Sequence, residues 1–151
     1  MAILRAKDTI NGTQGTCFAV IDNKRTELMQ VKNITATVEK KKTEIPILGV
    51  TGKQHKAGGW KGTGKMTVYY VSSIFRSMML DYIKKGIDTY FEIMVTNEDP
   101  TSSTGSQTVL LKGVNLDSII FTKLDVEKEA LEEDMEFTFN DVDLLDKFDE
   151  L

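Results

Sequence analysis

The stretch WKGTGKMTVYYV, residues 60–71, alternates with a period of two residues, which is the spacing of a β-strand. Met66 and Val68 fall on one face of this strand, and Thr67 and Tyr69 fall on the other. Side chains on both faces therefore need packing partners. The pattern therefore predicts a strand that is partly covered on its two sides.

Six further segments show two-residue alternation and predict antiparallel strands: residues 16–22, 26–40, 90–96, 107–113, 115–124 and 133–140. The first two flank Asp22-Asn23-Lys24-Arg25. Because Asn readily adopts turn geometry, we expect these two segments to form a β-hairpin.

One segment, residues 73–85, has helical periodicity. Its apolar side chains form one continuous stripe, which predicts packing against a core. The stripe consists of Ile74, Phe75, Met78, Met79, Tyr82 and Ile83. Ser72 or Ser73 can cap the first N–H groups, and Gly86 suits the left-handed residue after the last turn.

These elements predict a mainly β protein, a small antiparallel β-barrel or sandwich with one flanking α-helix at about residues 73–85. At 151 residues, of which 40% are hydrophobic and 28% charged, the chain has the composition of one globular domain, residues 1–151. Residues 45–59 contain several Gly and basic residues and predict a long loop, which is uncommon in a compact domain unless it has a function. No apolar run is long enough for membrane insertion.

Charge is distributed unevenly along the chain. Residues 1–65 carry 12 basic and 5 acidic side chains, whereas residues 66–151 carry 7 basic and 18 acidic ones. This asymmetry indicates two faces that attract each other between copies of the chain, or a nucleic-acid patch on one half. Alternatively, one sheet interleaves residues from both halves and neutralises the charge internally.

The residue counts weigh against catalysis. The single His, His55, and the single Cys, Cys17, cannot build a His-rich or Cys-rich metal cage, and they are predicted in a loop and a strand respectively. The acidic clusters at residues 125–136 and 141–149 lack the Gly of a calcium loop and are predicted to be solvated surface. We therefore expect no cofactor, no metal and no enzymatic activity.

Residues 59–65 match the spacing of a phosphate-binding loop, because Lys65 follows two glycines that stand five positions apart. The match ends at Met66, where a Ser or Thr should bind Mg²⁺, and a strand follows instead of a helix. A structural interpretation explains the glycines better. Gly62 and Gly64 lie on the Met66 face and leave room there for another backbone or an aromatic ring.

Four motifs in a fixed order carry a resemblance that covers nearly the whole chain. They are NGTQG at residues 11–15, GGWKGTG at 58–64 running into VYYVSS at 68–73 and the helix, NEDP at 97–100, and FTFNDVDLLD at 137–146. In these motifs the chain resembles the tail tube proteins of contractile-tailed, myovirus-like phages and of PBSX-type defective prophage particles of Gram-positive bacteria.

The resemblance implies a virion structural protein of the viral tail, made in the bacterial host cytoplasm. Its expected role is to form homohexameric rings that stack into the inner tail tube inside a contractile sheath. Expected partners are other copies of the chain, sheath and baseplate proteins, and DNA, which passes through the lumen during ejection without sequence-specific binding. The N-terminal segment and the long loop are expected to contact adjacent subunits.

The predicted subunit-interface residues lie in or beside the long loop: Lys40, Lys41, Lys42, Ile47, Leu48, His55 and Trp60. Two alternatives stay open. Basic residues interleaved with Trp60, Tyr69 and Tyr70 suggest an OB-like barrel that stacks single-stranded nucleic acid. A secretion-system tube that discharges proteins would share the tail-tube plan.

Overall fold

A computed structural model describes residues 4–27 and 31–149. In this part of the chain a short 3₁₀ turn, Ala6–Asp8, precedes eight strands and one helix. In chain order these are β1 (Gly15–Ile21), β2 (Lys24–Glu27), β3 (Val31–Ile45), β4 (Gln54–Tyr69), α1 (Ile74–Lys85), β5 (Phe91–Glu98), β6 (Ser106–Ser118), β7 (Glu132–Phe139) and β8 (Asp141–Asp146).

All strand pairs are antiparallel, and they form two layers. Sheet A contains β2, β1, β5, the first part of β6 and β8, while sheet B contains β3, β4, β7 and the last part of β6. The sheet does not close on itself, because in the described residues β2 and β3 end the strand order. The predicted fold class is confirmed, and its form is a sandwich.

Strand β6 belongs to both layers. It pairs with β8 up to Lys112, with β5 up to Val114, and with β7 from Asn115 onward. Gly113, at φ 64°, stands at the crossing in a conformation that favours glycine, and the Asn140 side chain lies against it. Asn140 N–H donates to Lys112 O at 2.9 Å, so the passage from β7 to β8 crosses between the layers at the same place.

The core lies between the layers and is built by alternate residues of their strands. Met66, Val68, Met135, Phe137 and Phe139 come from sheet B, and Cys17, Ala19, Ile93, Leu111 and Val114 come from sheet A. Rings from β7 occupy the space above two glycines of β4. A Cβ on Gly62 would overlap the Phe139 ring, and a Cβ on Gly64 would overlap the Phe137 ring. The predicted reason for these glycines is therefore confirmed.

Helix α1 is tied to the sandwich by its first half. Phe75 packs against Phe91 with ring centroids 5.9 Å apart, and Arg76 Nη1 forms an ion pair with Glu133 Oε2 at 2.9 Å. Ser72 Oγ accepts the Ile74 N–H at 3.3 Å, and Gly86 ends the helix at φ 70° as predicted. The predicted apolar stripe is wrong beyond the first half. Tyr82 and Ile83 are 53% and 58% exposed. A cleft of about 320 Å³ opens between Met78, Met79 and Tyr82 on the helix and Leu116 on β6.

Several strand boundaries differ from the predictions. The predicted strand 26–40 is two strands, β2 and β3, which pair with different partners, and its residues 28–30 lie outside the described part of the chain. Residues 107–113 and 115–118 form one strand, because Gly113 bends the strand without ending it, and residues 119–124 form no strand. Residues 141–149 were predicted to be solvated surface, but residues 141–146 form strand β8 at the edge of sheet A, and Val142 packs against the core.

Candidate assembly interface

The largest departure from the predictions is at residues 45–59, which we expected to be a loop. Strand β3 continues to Ile45 and β4 begins at Gln54, so the loop itself covers only residues 46–53. Opposite Lys41, Gly58 and Gly59 form a β-bulge, and Gly59 has a φ of 118°. The glycines that suggested a loop therefore let pairing continue beyond Trp60.

The result is a projecting hairpin, residues 38–61, which we call the arm. Strand β7 pairs with β4 only from Gly62 to Tyr69, so in the described residues the arm has no third strand. Every residue of the arm is exposed. At about 3.3 Å per residue, the eight residues from Val38 to Ile45 extend roughly 25 Å from the sandwich.

All seven predicted interface residues lie on the arm, but the structure spreads them from its base to its tip. Lys40 stands opposite Trp60 at the base, Lys41 stands opposite the bulge, and Lys42 stands opposite Ala57. His55 is in strand β4 rather than in a loop. Its Nε2 lies 3.7 Å from Glu44 Oε1, and Lys53 Nζ lies 3.3 Å from Glu44 Oε2.

The tip of the arm is apolar. Leu48 is fully exposed, and Ile47 and Val50 are exposed beside it. The arm also carries six Lys against two Glu, so it combines a positive stem with an apolar end. Exposed apolar groups on a charged projection are typical of a surface that another protein covers.

A groove of about 360 Å³ lies at the base of the arm, between the hairpin and β8. It is lined by Val38, Lys40, Ala57, Gly59, Trp60 and Val142. The Trp60 ring forms one wall and packs on Phe139 with centroids 6.2 Å apart, at an interplanar angle of 45°. Trp60 is therefore held by the core on one side and exposed on the other.

The aromatic platform expected for single-stranded nucleic acid does not form. Trp60 lies on the core side of β4, where it contacts Phe139, while Tyr69 is on the opposite side. The Tyr70 ring is occupied by the Arg76 guanidinium at 4.3 Å. Because the three rings do not share a face, they cannot stack successive bases.

Outside the arm, the structure exposes apolar side chains that the sequence reasoning missed. Leu80, Tyr82 and Ile83 are exposed on α1, and Leu124 and Val126 are exposed between β6 and β7. The only sequence signal for the second group is the interruption of an apolar run by Lys123, Asp125 and Glu127.

Charge from the two halves of the chain interleaves in the sandwich, as the internal-neutralisation alternative expects. Lys65 of β4 stands opposite Glu136 of β7, and Lys32 Nζ lies 2.9 Å from Glu132 Oε1. Hydrogen bonding to Glu132 raises the pKa of Lys32. The arm lies outside this pattern and keeps its excess of positive charge.

The N-terminal segment was expected to reach an adjacent subunit, but its described part binds its own chain. Asp99, which is 5% exposed, accepts the Asn11 N–H at 2.8 Å and the Thr101 hydroxyl at 2.7 Å. These bonds, the Thr101 hydroxyl first, lower the pKa of Asp99. Ser103 donates to Asp8 Oδ1 from its side chain and to Lys7 O from its N–H. Asp99 and Ser103 of the segment 97–106 thus hold residues 7–11 against the chain's own sandwich.

Neither a metal centre nor a membrane helix is present in residues 4–27 and 31–149. No three His, Cys, Asp or Glu side chains there lie close enough together to hold a metal ion. No helix in those ranges has the length and apolar character needed to cross a bilayer. Burial raises the pKa of the Cys17 thiol to about 11, which opposes formation of a nucleophilic thiolate.

A sandwich with long free edges, a projecting arm and apolar groups on its outside is typical of a structural subunit. The chain belongs to the phage tail tube protein family, whose model matches residues 2–146. It is therefore a structural protein of the phage-particle tail, and the resemblance found in the sequence is confirmed.

Comparison with individual proteins agrees with this assignment. The chain is 42% identical over 144 residues to the phage-like element PBSX protein XkdM of Bacillus subtilis (strain 168), covering 95% of each chain. Its fold is similar to a chain of the PVC extracellular contractile injection system sheath–tube complex, with a TM-score of 0.70, 8% identity and coverage of 92% and 93%. It is also similar to the SPP1 tail tube, with a TM-score of 0.64, 12% identity and coverage of 95% and 81%.

Proposed function

We propose that copies of this chain form hexameric rings, and that the rings stack into an inner tail tube through which DNA or other ejected material passes. The observation that carries the proposal is the free edge of β3. In the described residues this 15-residue strand pairs only with β4, so its other edge leaves backbone N–H and C=O groups without strand partners. A neighbouring copy that pairs with this edge would satisfy those groups and remove a site of uncontrolled aggregation.

The arm gives the second contact that stacking needs. A two-stranded hairpin without further cover is marginal in water, so a positive arm with an apolar tip gains order when it docks on another subunit. The acidic side chains of Asp141 and Asp146 on β8 supply charge of the opposite sign on the same chain, whereas Asp143 already forms an ion pair with Lys112. A head-to-tail contact between unlike surfaces propagates without closing, which is the geometry of a tube.

A sheath is the natural outer partner, since the chain shares its fold with a component of a sheath–tube complex. The proposal extends to a baseplate at the end of the tube, as the family resemblance implies. The exposed apolar side chains of α1 and of residues 124–126 are available for such contacts.

Electron microscopy of the purified protein tests the proposal, with rings or tubes as the expected result. Reversing the charge of Lys40, Lys41 and Lys42 to Glu is expected to shorten or abolish tubes, because the arm then repels the acidic surface that it meets. Reversal of Lys84, Lys128 and Lys147 is the matched control, since it changes net charge equally outside the arm. A protein that stays monomeric at high concentration and binds oligonucleotides with a steep salt dependence would instead support the nucleic-acid-binding alternative.

A further inference from the structure

Helix α1 leaves a cleft beside the last part of β6, which we call the helix cleft. Met78 and Met79 of the helix and Leu116 of β6 form its apolar floor, and each of them is half-buried. The cleft holds about 320 Å³, and at about 30 Å³ per molecule this is the volume of roughly ten waters. A turn that carries two or three apolar side chains can displace them.

The rim of the helix cleft is acidic. Asp88 and Asp117 line it, and both are exposed. The Asn115 side-chain N–H donates to Asp88 Oδ1 at 2.7 Å, which orients the carboxylate without neutralising its charge. Within residues 4–27 and 31–149 neither carboxylate forms an ion pair. An apolar floor below negative charge fits a partner that presents apolar side chains beside cations.

The tip of the arm presents apolar side chains on a hydrogen-bonded turn. Val50 N–H donates to Ile47 O at 3.2 Å, and Gly49, at φ 83°, has the positive φ that such a turn requires. Leu48 stands at the corner of the turn and is fully exposed. The turn is therefore formed before anything covers it, and docking does not have to order it.

Cations follow this turn along the stem of the arm. Lys53 shares the carboxylate of Glu44 with His55. Behind them, Lys42 and Lys56 have no ion-pair partner among the described residues. The arm thus joins apolar side chains to an excess of positive charge, which is the chemistry that the helix cleft fits.

The arm and the helix cleft lie on different sides of sheet B. The order of that sheet is β3, β4, β7 and the last part of β6, so β7 separates the arm strands from the strand that lines the cleft. Strand β4 also carries the arm at its first end and leads through residues 70–73 into α1 at its other end. The arm therefore projects away from the cleft of its own chain, and the occupant has to come from a second copy.

The groove at the base of the arm is also apolar, but it fits an incoming arm less well. Lys40 forms part of its wall. This side chain has the sign of the arm's own excess charge, and like charges at a contact oppose binding.

We propose that the arm tip of one copy docks in the helix cleft of another copy, with Leu48 against the apolar floor and the cations of the stem toward Asp88 and Asp117. The proposal rests on the proposed tube and names the receiving site for its stacking contact. Because the tip and the cleft are different surfaces, each copy gives an arm to one neighbour and receives an arm from another. The contact therefore propagates without closing.

Cross-linking between copies tests the docking. In a Cys17→Ala background, Leu48→Cys places a thiol on the tip, and Tyr82→Cys places one on the wall of the helix cleft, where the side chain is exposed. A short bis-maleimide should join these thiols in tubes of the double variant and give a ladder of covalent multimers, because every copy carries both sites. Mixed tubes of the two single variants should give covalent dimers only. The matched control pairs Leu48→Cys with Ala57→Cys in the groove, and it should give no ladder.

Other cross-linking results overturn the docking. A ladder with Ala57→Cys but not with Tyr82→Cys would place the tip in the groove. Covalent dimers from Leu48→Cys alone would show that two tips meet each other. Tubes in which neither pair is joined would exclude the helix cleft and leave the proposed function intact.

Two exposed charge changes give a second measurement, which also applies if the cysteine variants do not assemble. Leu48→Asp should raise the protein concentration needed for stacking by about ten-fold or more, since burial of a leucine side chain contributes that much. Asp117→Lys, on the rim, should raise it several-fold at low salt. Rings should still form in both variants. Leu124→Asp is the control outside the cleft and the arm, and its side chain is also exposed.

An effect of Leu124→Asp equal to that of Leu48→Asp would overturn the docking, and so would stacking that Asp117→Lys leaves unchanged. If the unmodified protein forms neither rings nor tubes, the proposed function itself fails, and the docking fails with it.

Discussion

Gly64 of β4 lies directly beneath the ring of Phe137 of β7, at a distance that leaves no room for a Cβ atom. Gly64→Ala is therefore expected to destabilise the protein by about 1–3 kcal/mol, because the ring must leave its position in the core. The midpoint of denaturant unfolding measures the effect. Gly52→Ala is the control, since nothing lies within 4 Å of its Cβ position, and it should change the midpoint little. Equal midpoints for the two variants would contradict the packing described for these strands.

The ion pair between Arg76 and Glu133 is buried, with side chains 12% and 2% exposed. Arg76→Leu leaves the Glu133 carboxylate without its partner, and we expect a loss of about 3–5 kcal/mol. The double variant Arg76→Leu, Glu133→Leu should recover much of this loss, because no unpaired charge remains inside. Lys85→Met removes the exposed pair with Asp81 and is expected to cost less than about 1 kcal/mol. A double variant that is less stable than Arg76→Leu would argue against this explanation.

Hydrogen bonds to Asp99 lower its pKa below the ordinary value of 3.8. A carboxyl group whose pKa is lower in the folded state stabilises the protein above its ordinary pKa, and this contribution is lost as the pH falls through the folded value. We therefore expect acid to weaken the link between Asn11 and Asp99 only below about pH 4. Melting temperatures of the protein and of Asp99→Asn should differ at pH 6 and converge toward pH 2. A difference that does not change over this range would exclude the titration of Asp99 as its cause.

The Cys17 thiol, with a pKa of about 11, should be unreactive in the folded protein. At pH 8 about one thiol in a thousand is then ionised, and burial blocks access to it. Thiol reagents are expected to modify Cys17 only at the rate at which the protein unfolds. Because the pKa is raised in the folded state, the thiol stabilises the fold below its ordinary pKa of 9.0, and this contribution is lost as the pH rises toward 11. Rapid modification at pH 8 without denaturant would contradict this placement.

Local signals predicted local structure well. Asp22 and Asn23 both have positive φ and join β1 to β2, and Gly86 ends α1, as their residue types suggested. The same reasoning misread the glycines that serve tertiary structure. Gly59 and Gly113 resemble strand ends in the sequence, but each occupies a bend within a strand that continues.

The seven residues predicted to form a subunit interface all fall on one projecting element, because basic and apolar residues recur beside its glycines. Their role in subunit contact stays a prediction. The register among strands that are distant in the sequence could not be predicted from it. Alternation marks Thr63 and Thr138 as facing one side or the other, but only the pairing of β4 with β7 places them together.

The course of β6 through both layers has a mechanical consequence. A shear that slides sheet A over sheet B cannot proceed by parting the apolar contacts alone, because an unbroken length of main chain crosses the gap at Gly113. The covalent backbone carries that load. The two halves of the sandwich must therefore travel as one body when a subunit is pushed or pulled along its length.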